Sequence, residues 1–203
     1  MKVALIIGHN KRAKGAYSQI LGREYDYWKR IAEKIKGIIP ELVDIYEREP
    51  NEYYTREMFK VLEELNKNDY KFCIELHFNA AESEQANGCE CLVYYKNNKA
   101  KELAINFMAR LQNKFGSKLR TKENILKETE VVNGKEKTVE KKETTRGLIL
   151  VQDSKTRGAY GICKSKDTYI LVEPFFGSNN EESLKFSVES DVVNLFVDFI
   201  KEM

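Results

Sequence analysis

The stretch "YKFCIELHFNAA" (residues 70–81) passes from a short apolar run into a polar tail, and a histidine, His77, stands at the change. The chain holds one other histidine, His9, in "KVALIIGHN" (residues 2–10), where it again follows an apolar run. Short continuous apolar runs, bounded here by Gly, Asn and Asp, are the pattern of strands covered on both faces. Residues 2–8 and 70–77 therefore read as buried strands with a histidine at or just beyond each carboxyl end. If the two lie parallel and adjacent, both imidazoles converge on one edge of the sheet, where α/β sheets place their ligands.

The sequence around these runs supports that architecture. Between them, "REYDYWKRIAEKIKGII" carries Trp28, Ile31, Ala32, Ile35 and Ile38 at helical spacing, and Pro40 ends the helix. "ELVDIYE" (41–47) reads as a strand, and "YTREMFKVLEELNK" (54–67) as a helix with Met58, Leu62 and Leu65 on one face. Beyond them, Asn87-Gly88 marks a turn, "CECLVYY" (89–95) alternates as a strand, and 99–115 reads as a helix. "LILVQ" (148–152) and "TYILVEPFF" (168–176) add strands. A helix is expected at the end of the chain, with Leu184, Val188, Val192, Leu195, Phe196 and Phe199 on its buried side. Strands alternating with helices predict a single α/β domain over 1–203: a mostly parallel, twisted sheet with helices on both faces. Residues 120–146 differ, being dense in Lys, Glu and Thr, with Asn133-Gly134 at the centre. They read as an inserted, charged β-hairpin, or else as a solvated loop, that adds little to the core.

Composition excludes several function classes. With 34 basic and 32 acidic residues the formal net charge is +2, too balanced for nucleic acid to be the main partner. No apolar run is long enough to span a membrane, and the N-terminal run is too short for an export signal. Synthesis in the cytoplasm, with no stable membrane insertion, is the expectation. Cys73, Cys89, Cys91 and Cys163 form no C-x-x-C pair and read as small buried hydrophobes in a reducing compartment.

Two histidines at a strand-end edge suit zinc, but could equally hydrogen-bond loop carbonyls. A catalytic zinc needs a third protein ligand and an open position. Three carboxylates compete for attention. Glu24 lies four residues before Trp28, on the core-facing stripe of its helix, where an acid needs a partner. Glu173, inside "YILVEPFF", precedes a proline that ends the strand, and so lands on the same edge as the histidines. Glu75, two residues before His77, could ligate a metal, orient the histidine or pair with a lysine.

At this point the chain resembles the zinc-dependent N-acetylmuramoyl-L-alanine amidases of bacterial autolysins and phage endolysins. The resemblance rests on "IIGHN", Glu24, "ELHFNAA" and "ILVEPFFGSNNEE", in that order and at similar spacing over essentially the whole chain. It implies one zinc ion per chain held by His9, Glu24 and His77, with Glu173 as the catalytic carboxylate. It gives Asn79 and Ser178-Asn179 a part in shaping the site. The run after the first histidine, "NKRAKGAYSQILG", and the 120–146 insertion depart from the pattern.

The resemblance further implies hydrolysis of the amide between N-acetylmuramic acid and L-alanine, with peptidoglycan or muropeptides as substrate. The chain would act on the cell wall after release or lysis, without a separate wall-binding domain. Lys11, Arg12 and Lys14 could meet wall carboxylates at the rim, or simply be solvated. Three other readings stand beside this one: a zinc peptidase cutting within the stem peptide, a non-catalytic wall-binding relative, and an unrelated α/β protein with structural histidines.

Overall fold

The computed structural model describes residues 1–132 and 135–203. The elements follow the chain as β1 (Lys2–Ile7), β2 (Tyr17–Ser18), β3 (Gly22–Arg23), α1 (Glu24–Ile38), β4 (Val43–Glu47), α2 (Tyr54–Leu65), β5 (Tyr70–Leu76) and β6 (Glu90–Tyr94). Then come α3 (Asn98–Phe115), β7 (Thr121–Val132), β8 (Lys135–Arg146), β9 (Leu148–Val151), α4 (Ala159–Lys164), β10 (Tyr169–Glu173), α5 (Asn180–Phe186) and α6 (Glu189–Glu202).

Six strands form one sheet in the order β4-β1-β5-β10-β6-β9. All pairings are parallel except β10 with β6. β1 and β5 are parallel neighbours, with Ile7 opposite Leu76, so the residues that follow them leave the sheet side by side. Alternation divides the strand residues between two layers. Val3, Leu5, Ile7, Ile74, Leu76 and Val172 pack towards α1, α3 and α6. Ala4, Ile6, Cys73, Tyr169 and Leu171 pack towards α2 and α4. With both faces covered, the strands must be apolar throughout, which is why they read as continuous runs.

Two expected helix faces shift. Ile38 is half-exposed and Ile39 is buried in its place, because the chain leaves the helix there and Ile39 turns inward. The expected C-terminal helix is two helices, interrupted at Ser187–Val188. Ser187 Oγ donates to the Leu184 carbonyl and its own amide bonds the same oxygen, closing α5. The break changes the helical phase, so Leu184 and Val188 face solvent while Phe186 is buried, stacked 4.2 Å from Phe175.

Residues 121–146 do form an antiparallel hairpin, Thr121 pairing Arg146 through to Val132 with Lys135. The expected Asn133-Gly134 turn lies outside the described residues. The hairpin's base contributes more than its composition suggests. Leu126 is 3% exposed inside the main core cluster. Asn124 accepts from the Leu150 amide and donates to the Leu148 carbonyl and Thr145 Oγ1, so its side chain serves the outer edge of β9.

Candidate metal centre

His9, Glu24 and His77 meet at the carboxyl ends of β1 and β5, and their ligand atoms all lie within 4.8 Å of one another. The sheet supplies the histidines and α1 supplies the acid across the edge. Glu24 is 2% exposed, yet its carboxylate is fully engaged. Oε1 accepts from the Phe78 amide at 3.0 Å, and Oε2 from the Ala16 amide at 2.9 Å. The same oxygens face His77 Nδ1 at 3.0 Å and His9 Nε2 at 3.2 Å.

The far nitrogen of each ring is also committed. His9 Nδ1 lies 3.2 Å from the Ala13 carbonyl and must donate to it. His77 Nε2 donates to Glu75 Oε1 at 3.0 Å, and Tyr169 hydroxyl donates to Glu75 Oε2 at 2.8 Å. In the neutral rings this leaves His9 Nε2 and His77 Nδ1 as lone pairs directed at a carboxylate. Three electron-rich groups facing one another need a positive charge among them. The titration shifts show the same field. Burial alone would raise the Glu24 carboxyl, but hydrogen bonds with His77 and then His9 hold it well below the usual carboxylate range. Burial opposes the charged His77 ring, yet Glu24 and Glu75 push it up to about 10. Two imidazoles, one carboxylate and a second carboxylate orienting one ring are a donor set that zinc takes. The residues present therefore fit a bound zinc ion.

Two glycines make the cluster possible. A Cβ on Gly8 would sit 2.1 Å from His77 Nε2, and one on Gly15 would sit 2.4 Å from Glu24 Oε2. Gly15 also has φ +74°, a conformation open to glycine at little cost. The loop between them is pinned by Asn10, fully buried, which accepts from the Arg12 and Ala13 amides and donates to Glu57.

Glu173 closes β10, half-buried, on the strand beside β5; the His77 amide donates to the Val172 carbonyl. Burial pushes its carboxyl up to about 7 against the pull of His77, and Glu90 and Glu24 add to the rise. Glu75 is fully buried on the far side of the His77 ring from Glu24, so of the competing carboxylates it is Glu24 that faces both imidazoles. Asn79 donates to Glu90 at 2.8 Å. Ser178 accepts from the Ala81 amide, and Asn179 caps α5, so this pair fastens the loop after His77 to the segment after Glu173. Of the rim cations, Lys14 pairs Asp26 and Arg12 lies 3.6 Å from Glu57, so both are tied to the chain's own carboxylates. The sequence reading did not single out Glu90, an acid in an apolar strand, nor Arg120 and Lys122 lying against it. The signal for Glu90 was its position, but its partners come from the insertion and carry no spacing that reveals them.

A family model described as N-acetylmuramoyl-L-alanine amidase matches residues 3–197. No curated protein sequence matches. Among solved structures, the catalytic domain of the CD27L endolysin targeting Clostridia Difficile is similar at TM-score 0.69 and 23% identity, over 100% of this chain and 97% of that one. The CwlD amidase from Clostridioides difficile, in complex with the GerS lipoprotein, is similar at TM-score 0.64 and 15% identity, over the whole of both chains. An N-acetylmuramoyl-L-alanine amidase from Neisseria meningitidis described as putative is similar at TM-score 0.61 and 20% identity, over 99% of this chain and 94% of that one. At these identities the likeness is one of fold.

Proposed function

The chain belongs to the N-acetylmuramoyl-L-alanine amidase family, and from that premise we propose that it cleaves the bond between the lactyl group of N-acetylmuramic acid and L-alanine as a zinc-dependent hydrolase. The amidase class and the peptidoglycan substrate come with the family. Zinc dependence and the assignment of residues are the proposal. The observation that carries them is the meeting of His9 Nε2, His77 Nδ1 and both oxygens of Glu24 at one sheet edge.

In this reading one zinc ion per chain is held by His9, Glu24 and His77. When bound, zinc polarises an amide carbonyl and makes water acidic enough to attack near neutral pH. The chain's own residues do the rest. The Ala13 carbonyl and Glu75 hold the two rings in the tautomers that leave Nε2 of His9 and Nδ1 of His77 free. The Phe78 and Ala16 amides keep the Glu24 oxygens turned towards them. Glu173 takes the proton of the attacking water and returns it to the departing alanine nitrogen. In the metal-free chain burial and the neighbouring Glu90 push this carboxyl above the ordinary carboxylate range, the direction that favours holding a proton. The same proposal places the activity on wall material reached after release or lysis. Among the described residues no helix is long and apolar enough to cross a membrane.

Digestion of purified peptidoglycan tests the reading. Amino-terminal analysis of the products should show new L-alanine and no other new terminus. A new terminus within the stem peptide would make the chain a peptidase; none at all would leave it a wall-binding relative.

A further inference from the structure

Next to Glu173 lies a second carboxylate with two cations on it. Glu90 opens β6 directly opposite Glu173 and is 4% exposed. Its Oε1 accepts from Asn79, while Arg120 Nε and Lys122 Nζ approach its Oε2 at 3.0 and 3.1 Å. Both cations come from the foot of the hairpin, at the end of the sheet where the candidate metal centre sits. Two cations and an amide converge on Glu90, which stands directly opposite Glu173, so the pair of cations faces a pair of carboxylates. Neither side chain is sealed in, Arg120 being 33% and Lys122 30% exposed. The Arg120 guanidinium is held over the Phe176 ring at 4.6 Å, and its two terminal nitrogens make no hydrogen bond among the described residues. A planar group fixed at two points, with its paired donors unspent, is prepared for a carboxylate.

We propose that Arg120 and Lys122 form a carboxylate-binding subsite for the stem peptide, so that the peptide lies over the foot of the hairpin and the sugar on the opposite side. This rests on the amidase reading. The N-acetylated glycan is uncharged, and the muramic lactyl carboxyl is consumed in the scissile amide. The free carboxylates of the substrate therefore lie on the peptide, the first of them on the acidic residue that follows L-alanine. An extended peptide advances about 3.3–3.6 Å per residue, so that carboxylate reaches about 7 Å from the scissile bond. Neighbouring strands are about 4.7–4.9 Å apart, and the subsite begins one strand over from Glu173. A reach of about 7 Å exceeds that one strand spacing, so the first carboxylate extends past Glu173 towards the subsite. The hairpin thereby becomes part of the specificity of the site, and Glu90 is what holds the two cations in place.

The test compares two soluble muropeptides that differ only at the second peptide residue, which carries either a free carboxylate or its carboxamide. The wild-type protein should favour the carboxylate by about tenfold in kcat/KM, expressed in KM, as a charge-assisted hydrogen bond gives. Arg120→Gln should reduce that preference to about one, and Arg120→Glu should turn it towards the carboxamide. Glu90→Gln combined with Arg120→Gln removes the buried charge together with its partner, so the loss of preference can be read in a folded protein. A wild type that does not discriminate, or variants that slow both substrates alike with the preference intact, would reduce the two cations to counter-ions of Glu90 and overturn the subsite. If the wild type releases peptide from neither muropeptide, the amidase reading falls and the subsite falls with it.

Discussion

Both oxygens of Glu24 are shared between a backbone amide and an imidazole, which makes this side chain the hinge of the candidate centre. Glu24→Gln keeps the shape but turns an amide donor towards one ring and removes the negative charge. Zinc content, measured by atomic emission after reconstitution, should fall from one per chain to near none. Glu75 meets His77 only at the ring's outer nitrogen, so Glu75→Gln should keep the stoichiometry and weaken affinity about 10–100-fold in a chelator competition. If instead Glu75→Gln strips the metal and Glu24→Gln retains it, the roles are reversed. Glu173 supplies a pH test on the metal-free protein. Its folded pKa lies above the unfolded 4.5, so the folded state binds the extra proton and loses stability as pH rises from 4.5 through about 7. His77 is also raised, from 6.5 to about 10, so the stability it lends is complete below 6.5 and is lost as pH climbs through about 10. Glu24 works the other way: its depressed pKa gives stability that is present above 4.5 and disappears in acid. Melting temperatures of the metal-free protein should therefore decline between pH 5 and 10, and Glu173→Gln should flatten the acidic part of that decline. The same variant should retain zinc but turn over about two to four orders of magnitude more slowly. Near-normal turnover would remove Glu173 from the mechanism.

At the scale of elements, the hairpin divides into a foot and an arm. The foot is structural: Asn124 satisfies the edge of β9, Gln152 exchanges two hydrogen bonds with the Lys127 backbone, and Leu126 enters the core. The arm beyond it is polar, with Val131 71% exposed, and buries little. Shortening the arm, by removing residues 129–131 and 136–138 in pairs across the ribbon, should change stability by no more than about 0.5 kcal/mol, as surface changes do. Leu126→Ala should cost about 2–5 kcal/mol in urea unfolding. Equal costs for both would mean that the whole ribbon is one cooperative unit. The sequence made the hairpin visible through Asn133-Gly134 between β-compatible flanks, but hid the foot, because a single leucine among lysines and glutamates gives no periodic signal. The break between α5 and α6 was hidden for a related reason. A serine and a valine are tolerable inside a helix, and only the burial of Phe186 against Phe175 decides the phase.

Across the whole molecule, the sheet was legible because strands buried on both faces are written as unbroken apolar runs, and the edge that gathers ligands follows from their shared direction. His9 and His77 could be placed at that edge on this ground, but side by side only on the condition that their strands were neighbours. Glu24 needed the helical phase of Trp28, and its two amide partners come from loops whose paths no pattern announces. Strand order was the least legible feature, and it has a consequence in time. β5 and β6 are separated by 13 residues in the chain, yet β10, arriving some eighty residues later, lies between them. A growing chain that zips the two nearby strands together fills the slot β10 must occupy, and must reopen it. Pairings between such distant segments form slowly because the loop must close before any contact rewards it. The strand that arrives late is also the one bearing Glu173. Under the proposed assignment, the three groups that would hold the metal all lie within the first 77 residues, and the group that would move the proton lies almost a hundred residues further on: the means to capture a metal is synthesised before the means to cut.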